Sequence, residues 1–170
     1  MGGHSTSRDD PFFEKVALLT QSLTKEGYLV STGGGPGMME AGNLGAYLAK
    51  YDSDAVTDAV AILSKAPKSG DQEYHTQAEK VLSTYPNGEE SLAIPTWFYG
   101  HEPSNVFATH VAKYFSNGIR EDILLSTAIH GVVFAPGSAG TTQEVFMDAT
   151  QNHYGTFGYY SPMVFLGKKR

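Results

Sequence analysis

The sequence predicts an α/β domain, a doubly wound parallel sheet with helices on both faces. Three observations carry this. Short strand candidates alternate with longer segments of helical spacing, in the order β-α-β-α-β-α-β. Gly131-Val132-Val133-Phe134-Ala135 is a continuous apolar run of the kind buried in parallel sheets. Two glycine-rich turns each follow a strand candidate and precede a helix candidate, which is where open parallel sheets bind ligands.

The elements follow in order. Asp10-Pro11 opens a helix that runs to about residue 26, with Pro11 in the first turn and Val16, Leu19 and Leu23 at helical spacing. Gly27 stops it. Tyr28-Leu29-Val30-Ser31 is a strand candidate, followed by Thr32-Gly33-Gly34-Gly35-Pro36-Gly37, which no regular element tolerates. Residues 38–50 read as a helix starting from that loop. Short helices are expected over 55–63 and 77–82, with turns at Pro67-Lys68-Ser69-Gly70 and Pro86-Asn87-Gly88. Leu92-Ala93-Ile94 is a strand ending at Pro95, and residues 97–103 form an aromatic loop. Residues 105–128 read as one helix, with Val111, Phe115, Ile119 and Ile123 on one side. After the run at 131–135 come the second glycine turn, a helix over 141–153 and a last strand over 162–166.

A length of 170 residues suits a single domain over residues 1–170, able to bury a core without disulfides or metal. Both ends read as cut. Met1-Gly2-Gly3-His4-Ser5 resembles the loop that follows a strand, and the chain stops four residues after its last strand. With 41% apolar and 18% charged residues, intrinsic disorder is excluded. A net charge of −6 argues against gripping a nucleic-acid backbone, although a few local donors suffice for one phosphate. The absence of cysteine removes disulfides, iron–sulfur clusters and thiolate zinc sites. No run approaches the roughly 20 apolar residues of a membrane span, and the start lacks the features of a signal peptide. A cytoplasmic location is the expectation.

Glycine at the carboxyl end of a strand lets backbone approach a phosphate, and the N–H groups of the following helix suit an anion. The alternative is a tight turn that binds nothing. A P-loop needs a Lys after its glycines, and neither turn has one. The spacing of Gly33, Gly35 and Gly37 does not match G-x-G-x-x-G. Bound NAD and ATP hydrolysis are thereby demoted, and a mononucleotide remains. The candidate binding residues are Gly34, Gly35, Gly37 and Met38 at the first turn, and Gly137, Ser138, Ala139, Gly140 and Thr141 at the second.

From spacing alone, Thr141-Thr142-Gln143-Glu144 favours a capping box, with Thr141 as N-cap and Glu144 at the third helical position. The functional alternative is a carboxylate beside a bound sugar phosphate, stabilising the cation that develops at C1′ when a glycosidic bond breaks. Arg120, on the preceding helix, is either a surface partner of Glu121 or Asp122 or a ligand contact in the cleft. His101-Glu102 and His110 do not match H-E-x-x-H, so no metal is expected. Trp97, Phe98 and Tyr99 are base-stacking candidates, although aromatics at this density more often serve a core or a dimer contact.

These residues resemble the LOG (Lonely guy) family. Gly33-Gly34-Gly35-Pro36-Gly37-Met38-Met39-Glu40-Ala41 is similar to its GGGxxGxM segment, and Pro136 through Glu144 to its PGGxGTxxE motif. The pair, about 100 residues apart in the right order, is more specific than either alone, and the likeness spans roughly residues 2–166. It implies a Rossmann-like fold, usually dimeric, without a cofactor. The implied activity is phosphoribohydrolysis: a nucleoside 5′-monophosphate plus water gives free base and ribose 5-phosphate. Glu144 and Arg120 map to the family's active-site residues, and the stretch from Gly137 to Thr141 to its phosphate turn. The older label of lysine decarboxylase would need a Lys placed to hold pyridoxal phosphate; Lys168 and Lys169 do not stand at such a position. Two departures stand out. Ser138 replaces the second motif glycine, which is tolerable if its φ is negative. Glu121 stands where cytokinin-releasing members have Lys. The stretch over 52–90 reads as an insertion near the base pocket. The departures favour a general nucleotide or another ribotide over a cytokinin ribotide. A non-catalytic nucleotide or molybdenum-cofactor carrier of the same fold is the alternative.

Overall fold

The computed structural model describes residues 1–98 and 105–167. Helix α1, Pro11–Lys25, begins where the sequence places it: the Asp10 carboxylate accepts from Phe12 N at 2.8 Å, and Pro11 needs no acceptor. Gly27, at φ +89°, ends it. Strand β1 is Val30–Thr32, one to two residues later than expected, and Tyr28 and Leu29 are exposed. Helix α2, Met38–Tyr47, ends in a tighter 3₁₀ turn at Leu48–Lys50. Helices α3, Ser53–Leu63, and α4, Tyr74–Thr84, account for the insertion-like stretch. They pack with α1 and α2 around Phe13, Ala17, Leu44, Leu48, Val56 and Leu63.

Strand β2 is Ser91–Ala93. The single helix expected over 105–128 is not formed. Its first part is strand β3, His110–Val111, and helix α5 covers only Asn117–Thr127. Backbone pairing explains the difference. Ala112 N donates to Ala93 O at 2.9 Å and Tyr114 N to Pro95 O at 3.0 Å, so this stretch extends the sheet. The apolar stripe behind that expectation is not a core face, because Val111, Phe115 and Ile119 are exposed. The chain closes with β4, Val132–Phe134, α6, Ala139–Tyr154, and β5, Met163–Phe165.

The molecule is thus a mixed α/β fold, with six α-helices among the described residues. Every strand pair is parallel, as the alternation predicts. The strands form two small sheets, β1-β2-β3 and β4-β5. Among the described residues, no helix is long and apolar enough to cross a membrane.

A buried polar chain fixes the first glycine turn to the sheet. Thr32 Oγ1 donates to Asn43 Oδ1 at 2.6 Å, and Asn43 Nδ2 donates to Ser91 Oγ at 2.9 Å. Asn105 Nδ2 reaches the same Asn43 oxygen at 2.7 Å, and Gly34 N donates to Thr32 Oγ1 at 3.0 Å. Each buried polar atom in this chain has a partner, which is the condition for such a network to stabilise.

Candidate active site

A cavity of about 460 Å³ opens where the second glycine turn, α5 and the N-terminal loop meet. That volume falls within the roughly 300–1,000 Å³ of small-molecule sites. Its floor is made by the start of α6. The N-cap is Ser138, and no side chain caps it. The first turn closes with Thr142 N to Ser138 O at 3.0 Å, so the N–H groups of Ala139, Gly140 and Thr141 find no acceptor among the described residues. Open N–H groups at the positive end of a 16-residue helix favour an anion. Ser138 has φ −112°, an ordinary extended conformation, so serine fits where the resembled motif has glycine. Gly137 is different: a Cβ there would collide with Thr141 Oγ1.

This start of α6 removes the capping-box reading. Thr141 is the third helical residue rather than the N-cap, and Glu144 lies in the second turn. Glu144 instead faces α5. Its Oε1 is 3.4 Å from Arg120 Nη1, and both residues are 7% exposed and line the cavity. Burial raises the pKa of Glu144 above the usual carboxylate value. The buried amino group of Met1 and the Arg120 guanidinium oppose the rise, while the Glu121 charge adds to it.

Arg120 is therefore not a surface arginine. Its Nη2 donates to Asn117 Oδ1 at 2.6 Å and lies 3.6 Å from Glu121 Oε1. Its Nε is buried without a hydrogen-bond partner among the described residues. Gly33 makes room for it, since a Cβ at Gly33 would stand 3.1 Å from Arg120 Nη1. Glu121 also lines the cavity, but both its oxygens are held, by Asn117 Nδ2 at 2.9 Å and Gln143 Nε2 at 2.7 Å.

Of the sequence candidates, Arg120, Ser138, Gly140, Thr141 and Glu144 line one cavity, and Gly137 and Ala139 belong to the turn beneath it. Gly34, Gly35, Gly37 and Met38 do not line it. The reason is occupancy by the chain itself. Met38 N, the first donor of α2, already binds Gly3 O at 3.0 Å. Gly37, at φ +69°, lies so close to Gly3 and His4 that a Cβ would stand 2.6 Å from Gly3 O. The first turn therefore seats the loop of residues 2–4, and that loop walls the cavity. Gly2, Gly3, His4 and Thr96 are wall residues outside both motifs, while Gly33 and Met39 belong to the first motif and line the cavity without having been named as binding residues. They come from separate segments, and only the glycines of the first turn hinted at a close backbone approach.

Phe98 is also on the wall. Trp97 is not; it stacks on Phe115 at 6.4 Å, with Lys113 Nζ 3.8 Å from its ring centre. Tyr99, His101, Glu102, Lys168 and Lys169 lie outside the described residues. His110 is exposed beside Glu90, at 3.5 Å. No group of three or more His, Asp or Glu placed to hold a metal ion occurs among the described residues. In comparisons with known proteins, no family model matches the chain and no curated protein matches it.

Proposed function

We propose that this protein hydrolyses the N-glycosidic bond of a nucleoside 5′-monophosphate, on a Rossmann-like doubly wound fold of the LOG type. The observation that carries the reading is the convergence of Glu144, Arg120 and the open N-terminus of α6 on one cavity. The 5′-phosphate sits on the N–H groups of Ala139, Gly140 and Thr141, where helix dipole and free donors coincide. Ribose then lies toward Glu144 and Arg120. As the C1′–N bond breaks, its electron pair goes to the base nitrogen, which gains a proton. The ionised Glu144 carboxylate stabilises the positive charge left at C1′ and orients the attacking water, which adds its oxygen to C1′ and loses a proton. Arg120 positions ribose phosphate or assists the departing base, and its unsatisfied Nε supports a ligand contact. Base and ribose 5-phosphate leave, and no cofactor takes part.

A homodimer and a cytoplasmic location belong to the same reading. Trp97, Phe115, Ile119 and Phe146 are large, exposed and apolar, which fits contacts with a second copy. The test is incubation with AMP, GMP, CMP and isopentenyl-AMP, followed by chromatography for free base. Release by the wild type and its loss in Glu144→Ala support the mechanism; equal rates sink it. Tight nucleotide binding by calorimetry with no turnover favours the carrier alternative.

A further inference from the structure

Besides Glu144, the wall of the candidate active site carries a second carboxylate, Glu121, to which the proposed hydrolysis gives no task. It stands on α5 directly after Arg120 and is 2% exposed. Asn117 Nδ2 donates to its Oε1 at 2.9 Å, and Gln143 Nε2 donates to its Oε2 at 2.7 Å. The Asn117 amide is fixed in this orientation, because its Oδ1 accepts from Arg120 Nη2 at 2.6 Å. Both donors to Glu121 are neutral amides. Arg120 Nη2, at 3.6 Å, is beyond hydrogen-bond distance. A buried charge held only by neutral donors is costly.

A carboxylate has about four acceptor positions, two on each oxygen. The amides use one on each oxygen of Glu121, and no further donor among the described residues bonds to the rest. The cavity is where a ligand donor can reach them. Little of Glu121 is open, so that donor is a group of hydroxyl size rather than the edge of a base.

The neighbours say which hydroxyl. Arg120 stands between the two carboxylates, with Nη1 3.4 Å from Glu144 Oε1 and Nη2 3.6 Å from Glu121 Oε1. In the proposed hydrolysis, on which this inference rests, Glu144 faces C1′ of the sugar. The hydroxyl next to C1′ is the 2′-OH. As positive charge grows at C1′ that hydroxyl becomes more acidic, so its bond to a carboxylate strengthens in the transition state. A lysine at this position would donate and could not accept.

We propose that Glu121 is a specificity-determining residue for the sugar: it accepts a hydrogen bond from the ribose 2′-OH, so that ribonucleotides are processed in preference to 2′-deoxyribonucleotides. Asn117 and Gln143 position the carboxylate, one on each oxygen.

The test measures adenine release from AMP and from 2′-deoxy-AMP by wild type, Glu121→Gln and Glu121→Asp. It is run at a pH well above the acid limb, so that Glu144 is ionised throughout. One hydrogen bond to a charged acceptor corresponds to roughly 10- to 100-fold, and wild type is expected to favour AMP in kcat/KM by at least that. Both substitutions are expected to lower kcat/KM for AMP by about 10- to 100-fold and to leave 2′-deoxy-AMP within about threefold, which erases the preference. Glu121→Asp keeps the charge and carries the comparison where Glu121→Gln does not fold. A structural role moves both substrates together. An equal fall for both, or a wild type indifferent to the 2′-OH, therefore overturns the assignment. Failure of the hydrolase reading is seen separately, as no base released from either nucleotide. Calorimetry then decides: AMP binding about 10-fold tighter than 2′-deoxy-AMP, with the advantage lost in Glu121→Gln, upholds the assignment. Equal affinities overturn it.

Discussion

Two buried Arg–Glu pairs in this molecule have the same chemistry and opposite surroundings. Arg8 and Glu40 are at most 2% exposed and fully engaged. Arg8 Nε and Nη2 fork onto the Glu40 carboxylate at 3.0 and 2.5 Å, and Nη1 reaches Tyr74 O at 2.8 Å. Tyr74 Oη adds a bond to Glu40 at 2.6 Å, and the guanidinium lies 3.3 Å from the Tyr74 ring centre. Arg120 and Glu144 make one long contact at 3.4 Å, leave Nε without a partner among the described residues, and face a cavity. A pair whose donors are used up ties the N-terminal loop to α2 and α4. A pair with bonding capacity left over, at the edge of a cavity, is the one that suits a ligand.

The sharpest way to break the comparison is to remove one partner from each pair. Arg8→Ala leaves the Glu40 charge buried without its fork and is expected to lower stability by about 3–5 kcal/mol, read by urea denaturation. Replacing both partners, with Arg8→Met and Glu40→Leu, is expected to recover much of that loss, because two apolar groups leave no orphaned charge. If Arg8→Ala costs no more than a surface substitution, the pair is not structural.

Glu144→Gln is expected to behave the other way. Base release should fall by about 10²–10³-fold, the usual loss when one electrostatic stabiliser of a transition state is removed. Stability at neutral pH should hold or rise. The sign follows from burial, which raises the folded-state pKa of Glu144. A raised carboxylate pKa means that stability is present at low pH and lost as pH rises through the folded value, so a neutral amide escapes that loss. Unfolding curves at acid and neutral pH check it.

The same shift sets a pH profile. Glu144 must be ionised to stabilise a cation, so the acid limb of kcat/KM is expected above the ordinary Glu pKa of about 4.3. In Glu121→Gln that limb should move to lower pH, because the Glu121 charge is one of the causes of the rise. A limb that does not move leaves Glu121 a wall residue only.

How much of this was legible in the sequence depended on how local the signal was. Helix α1, strand β4 and the second glycine turn are written in adjacent residues: the Asp10-Pro11 start, the run at 131–135, and the glycines before α6. The stretch over 105–128 was misread because Val111, Phe115 and Ile119 recur every four residues, a spacing that fits extended chain as well as helix. Pairing with β2 decided its first part, and no local residue announces that. Arg120 and Glu144 were both expected at one cleft; only their direct contact went unstated, since it depends on α5 and α6 packing together. At the first turn, glycine was tied to close approach by a phosphate, whereas what approaches Gly37 is the chain at Gly3 and His4.

The smallest expected effect isolates burial from function. Asp148 lies one turn beyond Glu144 on α6, and only 3% of it is exposed. Asn152 Nδ2 meets its Oδ1 at 3.3 Å, while Oδ2 has no hydrogen-bond partner among the described residues. Burial raises its pKa, and no cation among the described residues offsets the rise. Stability tied to this group is therefore present below the unfolded carboxylate pKa and declines as pH rises through the folded value. Asp148→Asn keeps the shape and removes the charge, so it is expected to be more stable than wild type at pH 7 by on the order of 1 kcal/mol. The advantage should shrink as pH falls and wild-type Asp148 takes up a proton. Nucleotide turnover should not change, because Asp148 is not on the cavity wall. Gained stability with unaltered turnover separates the cost of a buried carboxylate from its use, which Glu144 alone combines. A drop in turnover equal to that of Glu144→Gln would instead show that the two acids act as one unit.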